Sequence, residues 1–349
     1  MNFRKGSENN LATLFLSRGF LMQDFGQTIS LIGIEDGQKL SARRYSHHAM
    51  ATVWEVFITH KDESYAQQAA FAAFTELDRL EQDLSRFLPN SDISRINALP
   101  AGRAVRVGID TFQCIKRCKE IYDATKGAFD ISIGPLYDAW LNPDKSLRTP
   151  SQKEISLARE RVGMEWVVVD EEQMAVGVLK ENMRLDLGGF GKGYALDRVQ
   201  ETLSEWDILN ALVHGGSSSA LAIGRLHDLE GWPITISDPR DFKNIVVKLA
   251  LKDRALSGSG LRKGKHILHP RLGKPVTNKL AAWASTPDAA TSDALSTAFM
   301  VMSPEEITAY CKRFPETQAL VYLHNDPVDD LTVPLSDKGV LNLGFDLIK

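Results

Sequence analysis

Asp293 and Thr297, in the run Thr291-Ser292-Asp293-Ala294-Leu295-Ser296-Thr297, stand four residues apart on a segment whose pattern predicts a helix. Residues at i and i+4 share a helical face, so a carboxylate and a hydroxyl can present two hard oxygen donors to one point. Such donors suit Mg²⁺ or Ca²⁺ rather than zinc. By itself the spacing is a weak signal, because Asp and Thr recur on many solvated helix faces. Its weight comes from what precedes it: Asp186-Leu-Gly-Gly-Phe-Gly-Lys-Gly193, His214-Gly-Gly-Ser-Ser-Ser219, Ser257-Gly258 and His266-Ile-Leu-His-Pro270. Glycine turns, a lysine, histidines and an oxygen-donor pair together suggest phosphate-ester chemistry.

Each of these segments also has a plainer reading. Asp186 to Gly193 reads as a strand end turning into a helix, which exposes backbone N–H groups at the positive end of the helix dipole. Lys192 adds a point charge for a phosphate, although the Walker A spacing is absent. Glycines that only permit close packing of a helix explain the segment equally well. Gly215-Gly216 lets a bulky ligand approach the backbone, but a tight turn is the commoner cause. His266 and His269 lack nearby partners for a metal site. A lone imidazole beside a hydroxyl nucleophile suits a general base, while a structural histidine is the commoner case. Asp130, ahead of Gly134-Pro135, is by default a turn carboxylate. Trp54, Trp140 and Trp232 can stack on a planar ring, although large aromatics usually belong to the core.

The elements that must position these residues follow from apolar spacing. Ala51 to His60 predicts a strand, and the three-and-four spacing from Ala70 to Leu88 predicts one long helix over Ser64–Leu88, ended by Pro89. Further helices are expected at 110–125, 151–162 and 193–205, around Asp293, and near 304–313. Strands are expected at 166–169, 211–213, 232–236, 245–251, 280–285 and 319–324. Helices and strands mix without regular βαβ alternation, which favours α+β with mixed or antiparallel sheets over a doubly wound fold. No internal repeat or Pro/Ser-rich linker divides the chain, so residues 46–349 are expected to form one domain behind an irregular leader, residues 1–45.

With 349 residues the chain can bury a substantial core. A net charge of -4 and no Lys/Arg block give no basis for nucleic-acid binding. Cys114, Cys118 and Cys311 cannot all pair, and read as free thiols of a reducing compartment. The apolar run from Leu11 to Phe25 is broken by Ser17, Arg18, Gln23 and Asp24, so no export signal or membrane span is expected.

Taken in order, these segments resemble the ApbE family, the FAD:protein FMN transferases, from about Met50 to Pro304. The likeness begins at Met50-Ala51-Thr52, where the family usually has Met-Gly-Thr, and continues through Leu84-Ser-Arg-Phe87 and Ser91-Asp-Ile-Ser-Arg-Ile-Asn97. It then includes Gly127-Ala-Phe-Asp130, Gly134-Pro135-Leu136, Trp140 and Leu185 to Asp197. Gly215-Gly216, Ser257-Gly258, His266-Ile267, Pro270, Gly273, Pro275, and Asp293-Ala294-Leu295 with Thr297 complete it.

The resemblance implies a T-fold-like α+β architecture, FAD as donor and Mg²⁺ as the metal. It implies transfer of FMN to a threonine hydroxyl of a target flavoprotein with release of AMP. Asp293 and Thr297 match the family's metal-binding side chains, and Gly191 is expected to add a backbone carbonyl. His266 is assigned deprotonation of the acceptor threonine. FAD is expected to meet Met50, Asp130, Lys192, Gly215, Gly216, Ser257, Gly258 and His266. Where the family reads His-Ile-x-Asp-Pro-x-Thr-Gly, this chain has His269 for the aspartate and Leu272 for the threonine. Ser217-Ser218-Ser219 also stands where an acidic or polar residue commonly follows the glycine pair. FAD pyrophosphatase and a non-catalytic flavin-binding protein are the alternatives. Many members are exported lipoproteins, and the absence here of a signal and a lipid-accepting cysteine implies a cytoplasmic variant.

Overall fold

A computed structural model describes residues 29–31, 42–142, 146–262, 264, 266–324 and 339–347. In chain order the strands are β1 (Ile29–Leu31), β2 (Arg43–Ala49), β3 (Thr52–Ile58), β4 (Arg103–Arg106), β5 (Val167–Asp170), β6 (Ala175–Val178), β7 (Ala211–Gly215) and β8 (Ser219–Ile223). They continue with β9 (Trp232–Asp238), β10 (Asp241–Leu251), β11 (Arg254–Gly260), β12 (Leu268–His269), β13 (Lys274–Pro275), β14 (Lys279–Thr286), β15 (Gln318–Leu323) and β16 (Val340–Leu343). The helices are α1 (Glu63–Leu84), α2 (Asp92–Asn97), α3 (Ile109–Ala124), α4 (Gly134–Trp140), α5 (Gln152–Arg159), α6 (Gly191–Glu205), α7 (Ala289–Val301) and α8 (Pro304–Arg313).

The centre is an eight-stranded sheet in the order β16-β15-β14-β11-β8-β7-β3-β2, each neighbour antiparallel. Alternation along a strand sends successive side chains to opposite faces. On β3, Trp54, Val56 and Ile58 face a core shared with α1, α6 and α7. Phe57 faces the other way, into a second core with Leu212, Trp232, Ile234 and Val247. The smaller sheet β1-β9-β10 contributes to that second core, so the large sheet is covered on both faces. This is the expected α+β class with antiparallel sheets and packed helices. Among the described residues, no helix is long and apolar enough to cross a membrane.

α1 starts at the Asp62 cap, whose carboxylate accepts the Tyr65 N–H at 3.0 Å. Its buried stripe of Ala66, Ala69, Ala70, Ala73, Phe74, Leu77, Leu80 and Leu84 is the expected amphipathic face. The helix ends at Leu84 instead of Leu88 because Ser91 rebuilds the turn. Its hydroxyl donates to Ser85 O at 2.6 Å, and its oxygen accepts the Ser94 N–H as the cap of α2. α6 begins at Gly191, two residues earlier than expected. The apolar spacing predicts neither β2, β4, β6, β8, β11, β12, β13 and β16 nor the short helices α2 and α4. Of the expected leader, residues 1–28 and 32–41 lie outside the described residues, while β1 and the start of β2 fall within its span.

Candidate functional site

The glycine turn between Asp186 and Gly193 is held from both sides. Asn97 donates to Leu185 O at 3.0 Å and accepts the Leu185 N–H at 2.6 Å, fixing the strand end just before it. Asp186 accepts the Gly188 N–H at 2.7 Å. Its other oxygen lies 2.9 Å from Arg86 Nε, a charge contact without hydrogen-bond alignment. The N–H groups of Phe190 and Gly191 both donate to Leu187 O, which curls the chain into the first turn of α6.

Two glycines let α7 press against this turn. A Cβ on Gly189 would stand 3.0 Å from Thr297 Oγ1, and one on Gly193 would stand 2.2 Å from Ala289 O and 2.7 Å from Asp293 Cβ. Asp293 is 3% exposed, yet both of its oxygens are satisfied. Oδ2 accepts the Gly193 N–H at 3.1 Å and the Lys192 ammonium at 3.3 Å, while Oδ1 accepts the Ser219 hydroxyl at 3.1 Å. Lys192 Nζ also lies 3.5 Å from Gly188 O. Thr297 Oγ1 is 3.2 Å from Ser259 Oγ, which in turn is 2.8 Å from Ser296 Oγ. The structure thus brings Asp293, Thr297, Lys192 and Gly191 to one seam between α6, α7 and the sheet.

Two hairpin tips complete a cleft over that seam. Met50 and Ala51 form the two-residue β2–β3 loop with φ of 50° and 57°, a left-handed pair that favours glycine. The Met50 N–H is fixed by Glu81 at 2.8 Å. Gly216 has φ 66°, and a Cβ there would meet Thr52 Oγ1 at 2.5 Å, so the β7–β8 tip can lie against the β2–β3 tip only with glycine. The cleft, about 360 Å³, is lined by Met50, Ala51, Thr52, Glu81, Arg86, Phe87, Asp186 to Gly188, Gly191, Lys192 and Gly216 to Ser218 among others. Arg86 stacks over Phe87 at 4.6 Å and over Tyr137 at 5.9 Å. Ser257 and Gly258 sit beneath the β7–β8 tip: Ser257 pairs with Ser219 across the strands, and the Gly258 N–H donates to Ser218 O at 2.7 Å. The Ser257 hydroxyl is fully buried and has no hydrogen-bond partner among the described residues.

Two other cavities, each about 490 Å³, are larger but share no lining residue with this cleft. One of them contains Asp130, with Tyr122, Arg159, Glu165 and Arg271. Asp130 accepts from the Ser132 N–H at 2.8 Å and hydroxyl at 2.6 Å, and burial pushes its carboxyl up to about 7. The structure therefore does not bring Asp130 into the cleft of Met50 and Lys192. His266 also lies outside the cleft lining; it is exposed, with Nδ1 2.9 Å from Gly264 O. Its loop is anchored by the buried Ile267 and Leu268 and by Trp140 Nε1, which donates to Gly273 O at 2.7 Å. Trp54 and Trp232 are core residues. Arg86, Asn97, Ser219 and Asp197 belong to the assembly although their motifs carry no individual role for them. Each stood in a quoted motif, but the partner that defines its work lies far along the chain. All three cysteines are free thiols.

An α+β protein whose glycine turn, lysine and buried carboxylate converge under two hairpin tips has the architecture of a phosphate-handling cleft. The chain belongs to the ApbE family, whose model matches residues 50–321. It is 28% identical over 272 residues to an FAD:protein FMN transferase of Klebsiella pneumoniae (strain 342), covering 74% of this chain and 77% of that protein. With the Escherichia coli K12 protein of the same name it shares 26% over 282 residues, 76% of this chain and 79% of the relative. The crystal structure of an ApbE protein from Thermotoga maritima superposes with a TM-score of 0.73 at 29% identity, covering 81% of this chain and 94% of that one. The Pseudomonas stutzeri flavinyl transferase ApbE, in its apo form, shares the fold with a TM-score of 0.73 at 24% identity, over 92% of this chain and 96% of that one.

Proposed function

We propose that this chain is a flavin transferase that moves FMN from FAD to a threonine hydroxyl of an acceptor flavoprotein and releases AMP. The observation that carries this reading is the Lys192 ammonium, seated between Asp293 Oδ2 at 3.3 Å and Gly188 O at 3.5 Å. A carboxylate and a turn carbonyl already gather one positive charge there, beneath a cleft walled by Met50, Arg86 and Gly216. The donor set of one carboxylate, one hydroxyl and peptide oxygens suits a hard cation, although no cluster of three or more His, Cys, Asp or Glu stands among the described residues. Asp293, Thr297 and the Gly191 carbonyl would hold Mg²⁺. Bound there, the ion would supply positive charge to offset that of the pyrophosphate.

The protein's own groups do the rest. The Lys192 ammonium binds phosphate oxygens, while the Gly191, Gly193 and Tyr194 N–H groups that open α6 are engaged by Leu187 O, Asp293 and Phe190 O. Arg86, held by Asp186, and Phe87 offer a cation and an apolar face to the flavin end. The threonine oxygen forms a bond to the flavin-side phosphorus, the bridging oxygen departs with AMP, and the hydroxyl proton passes to His266. A cytoplasmic location belongs to this reading, supported by three free thiols. So does a single domain from residue 46, supported by a sheet running from β2 to β16.

Incubation with FAD, Mg²⁺ and a flavoprotein domain bearing a candidate threonine, read by mass spectrometry, tests the proposal. FMN attached to the domain, with AMP released, is the expected result. Free FMN plus AMP indicates hydrolysis instead, and unchanged FAD overturns both. Asp293→Ala should abolish Mg²⁺-dependent cleavage of FAD while the protein remains folded.

A further inference from the structure

α6 and α7 exchange carboxylates. Asp293 of α7 accepts the Gly193 N–H in the first turn of α6 at 3.1 Å. Asp197 of α6 accepts the Ala289 and Ala290 N–H groups, the first two of α7, at 2.7 and 2.9 Å. On each helix the donor amide and the carboxylate are four residues apart, Gly193 with Asp197 and Ala289 with Asp293, so both lie on one face. Each carboxylate thus meets the positive end of the other helix's dipole. The contact is close because Gly193 lacks a Cβ, which would stand 2.2 Å from Ala289 O.

An ordinary cap does not explain Asp197. α7 already has one in Asp288, whose carboxylate accepts the Thr291 N–H at 2.8 Å. What Asp197 adds is a tie between the helices. If α7 slides or rotates on α6, both bonds to Asp197 break, and Asp293 and Thr297 move away from the glycine turn. At the opposite end of α7, the buried ammonium of Lys279 meets the carbonyls of Met300 and Met302, which favours the negative end of the same dipole.

We propose that Asp197 is a positioning residue for the cation-holding pair Asp293 and Thr297, fixing α7 in register against the glycine turn independently of the helix's own cap. This rests on the reading of Asp293 and Thr297 as cation ligands. Groups that orient metal ligands from behind typically change affinity 10- to 100-fold when removed.

The test is Mn²⁺ binding to the full chain without FAD, followed by electron paramagnetic resonance, together with thermal unfolding. Wild type should bind Mn²⁺ and Asp293→Ala should lose it. Asp197→Asn should weaken binding at least about tenfold. Asp288→Ala removes the cap and should lower the melting temperature while keeping Mn²⁺ affinity within about twofold, because the tie remains. Asp197→Glu serves if the asparagine variant does not fold. It keeps the charge but moves the oxygens by a methylene, and should also weaken binding. Wild-type Mn²⁺ affinity in the Asp197 variants, or equal weakening by Asp288→Ala, overturns the positioning role. Binding that Asp293→Ala leaves intact overturns the metal reading itself, and with it this inference.

Discussion

His266 and His269 are three residues apart but differ in surroundings. His266 is exposed, and its Nδ1 faces Gly264 O at 2.9 Å. A carbonyl only accepts, so the proton belongs on Nδ1 and the lone pair on Nε2. His269 is partly buried, and its Nδ1 lies 3.4 Å from the Leu272 N–H. Burial first, then the charges of Arg271 and Lys279, hold its imidazole down to about 4, which makes it a weak base. His266→Ala should therefore slow transfer to the acceptor threonine by roughly two to four orders of magnitude, with FAD binding much less affected. His269→Ala should cost far less. Single-turnover rates for the two variants decide the matter, and a reversed order moves the base to His269. At this scale the sequence was legible where partners share one helix, as for Asp293 and Thr297. It was not legible for Asp130, whose motif borders the glycine turn through Phe129 and Phe190 while its carboxylate turns into another cavity.

Two strands that build the site, β8 and β11, are made largely of small residues, which is why they escape the periodicity. β11 reads Arg-Ala-Leu-Ser-Gly-Ser-Gly, a composition typical of loops, yet it pairs with β8 and β14 and packs beneath α7. Bulky strand formers there would hold α7 away from the sheet and separate Ser259 from Thr297. The long helices were legible because α1 carries an unbroken apolar stripe, and only its end moved, since the Ser91 cap acts across a turn. The packing of α6 on α7 depends on one missing Cβ. Gly193→Ala places a methyl 2.2 Å from Ala289 O, where backbone and not a flexible side chain must yield. The helices should part, costing about 1–3 kcal/mol as other overpacked sites do, and metal-dependent FAD cleavage should fall with it. Urea unfolding and FAD turnover of this one variant check both. A fully active Gly193→Ala of unchanged stability means that the close crossing is not required.

Across the described residues, two carboxyls and two imidazoles shift far within the range from about pH 4 to 7, in opposing pairs. Asp130 and Asp197 are pushed up to about 7, in each case chiefly by burial. His214 and His269 are pushed down to about 4, again chiefly by burial. The unfolded carboxyls titrate near 3.8 and the unfolded imidazoles near 6.5. Between about 4 and 7 the folded chain therefore holds protons on the carboxyls that the unfolded chain has released. Their contribution to stability is present at low pH and is lost as pH rises toward 7. The imidazoles act with the opposite sign: their contribution is present above 6.5 and is lost as pH falls toward 4. The two pairs oppose each other, so their contributions offset over this range, and removing one group should tilt the profile. His214 is the cleanest choice. It is buried on the sheet face away from α6 and α7, against Phe57, its Nε2 has no partner among the described residues, and the neighbouring Glu55 already pairs with Arg44. His214→Leu, of similar size and uncharged at any pH, should gain stability relative to wild type as pH falls from about 6.5 to 4.5. Asp130→Asn should lose stability over the same interval. Urea unfolding at pH 7, 6, 5 and 4.5 gives both slopes. Parallel profiles for wild type and His214→Leu would show that the folded imidazole titrates like an unfolded one, and that the sheet face around it admits water.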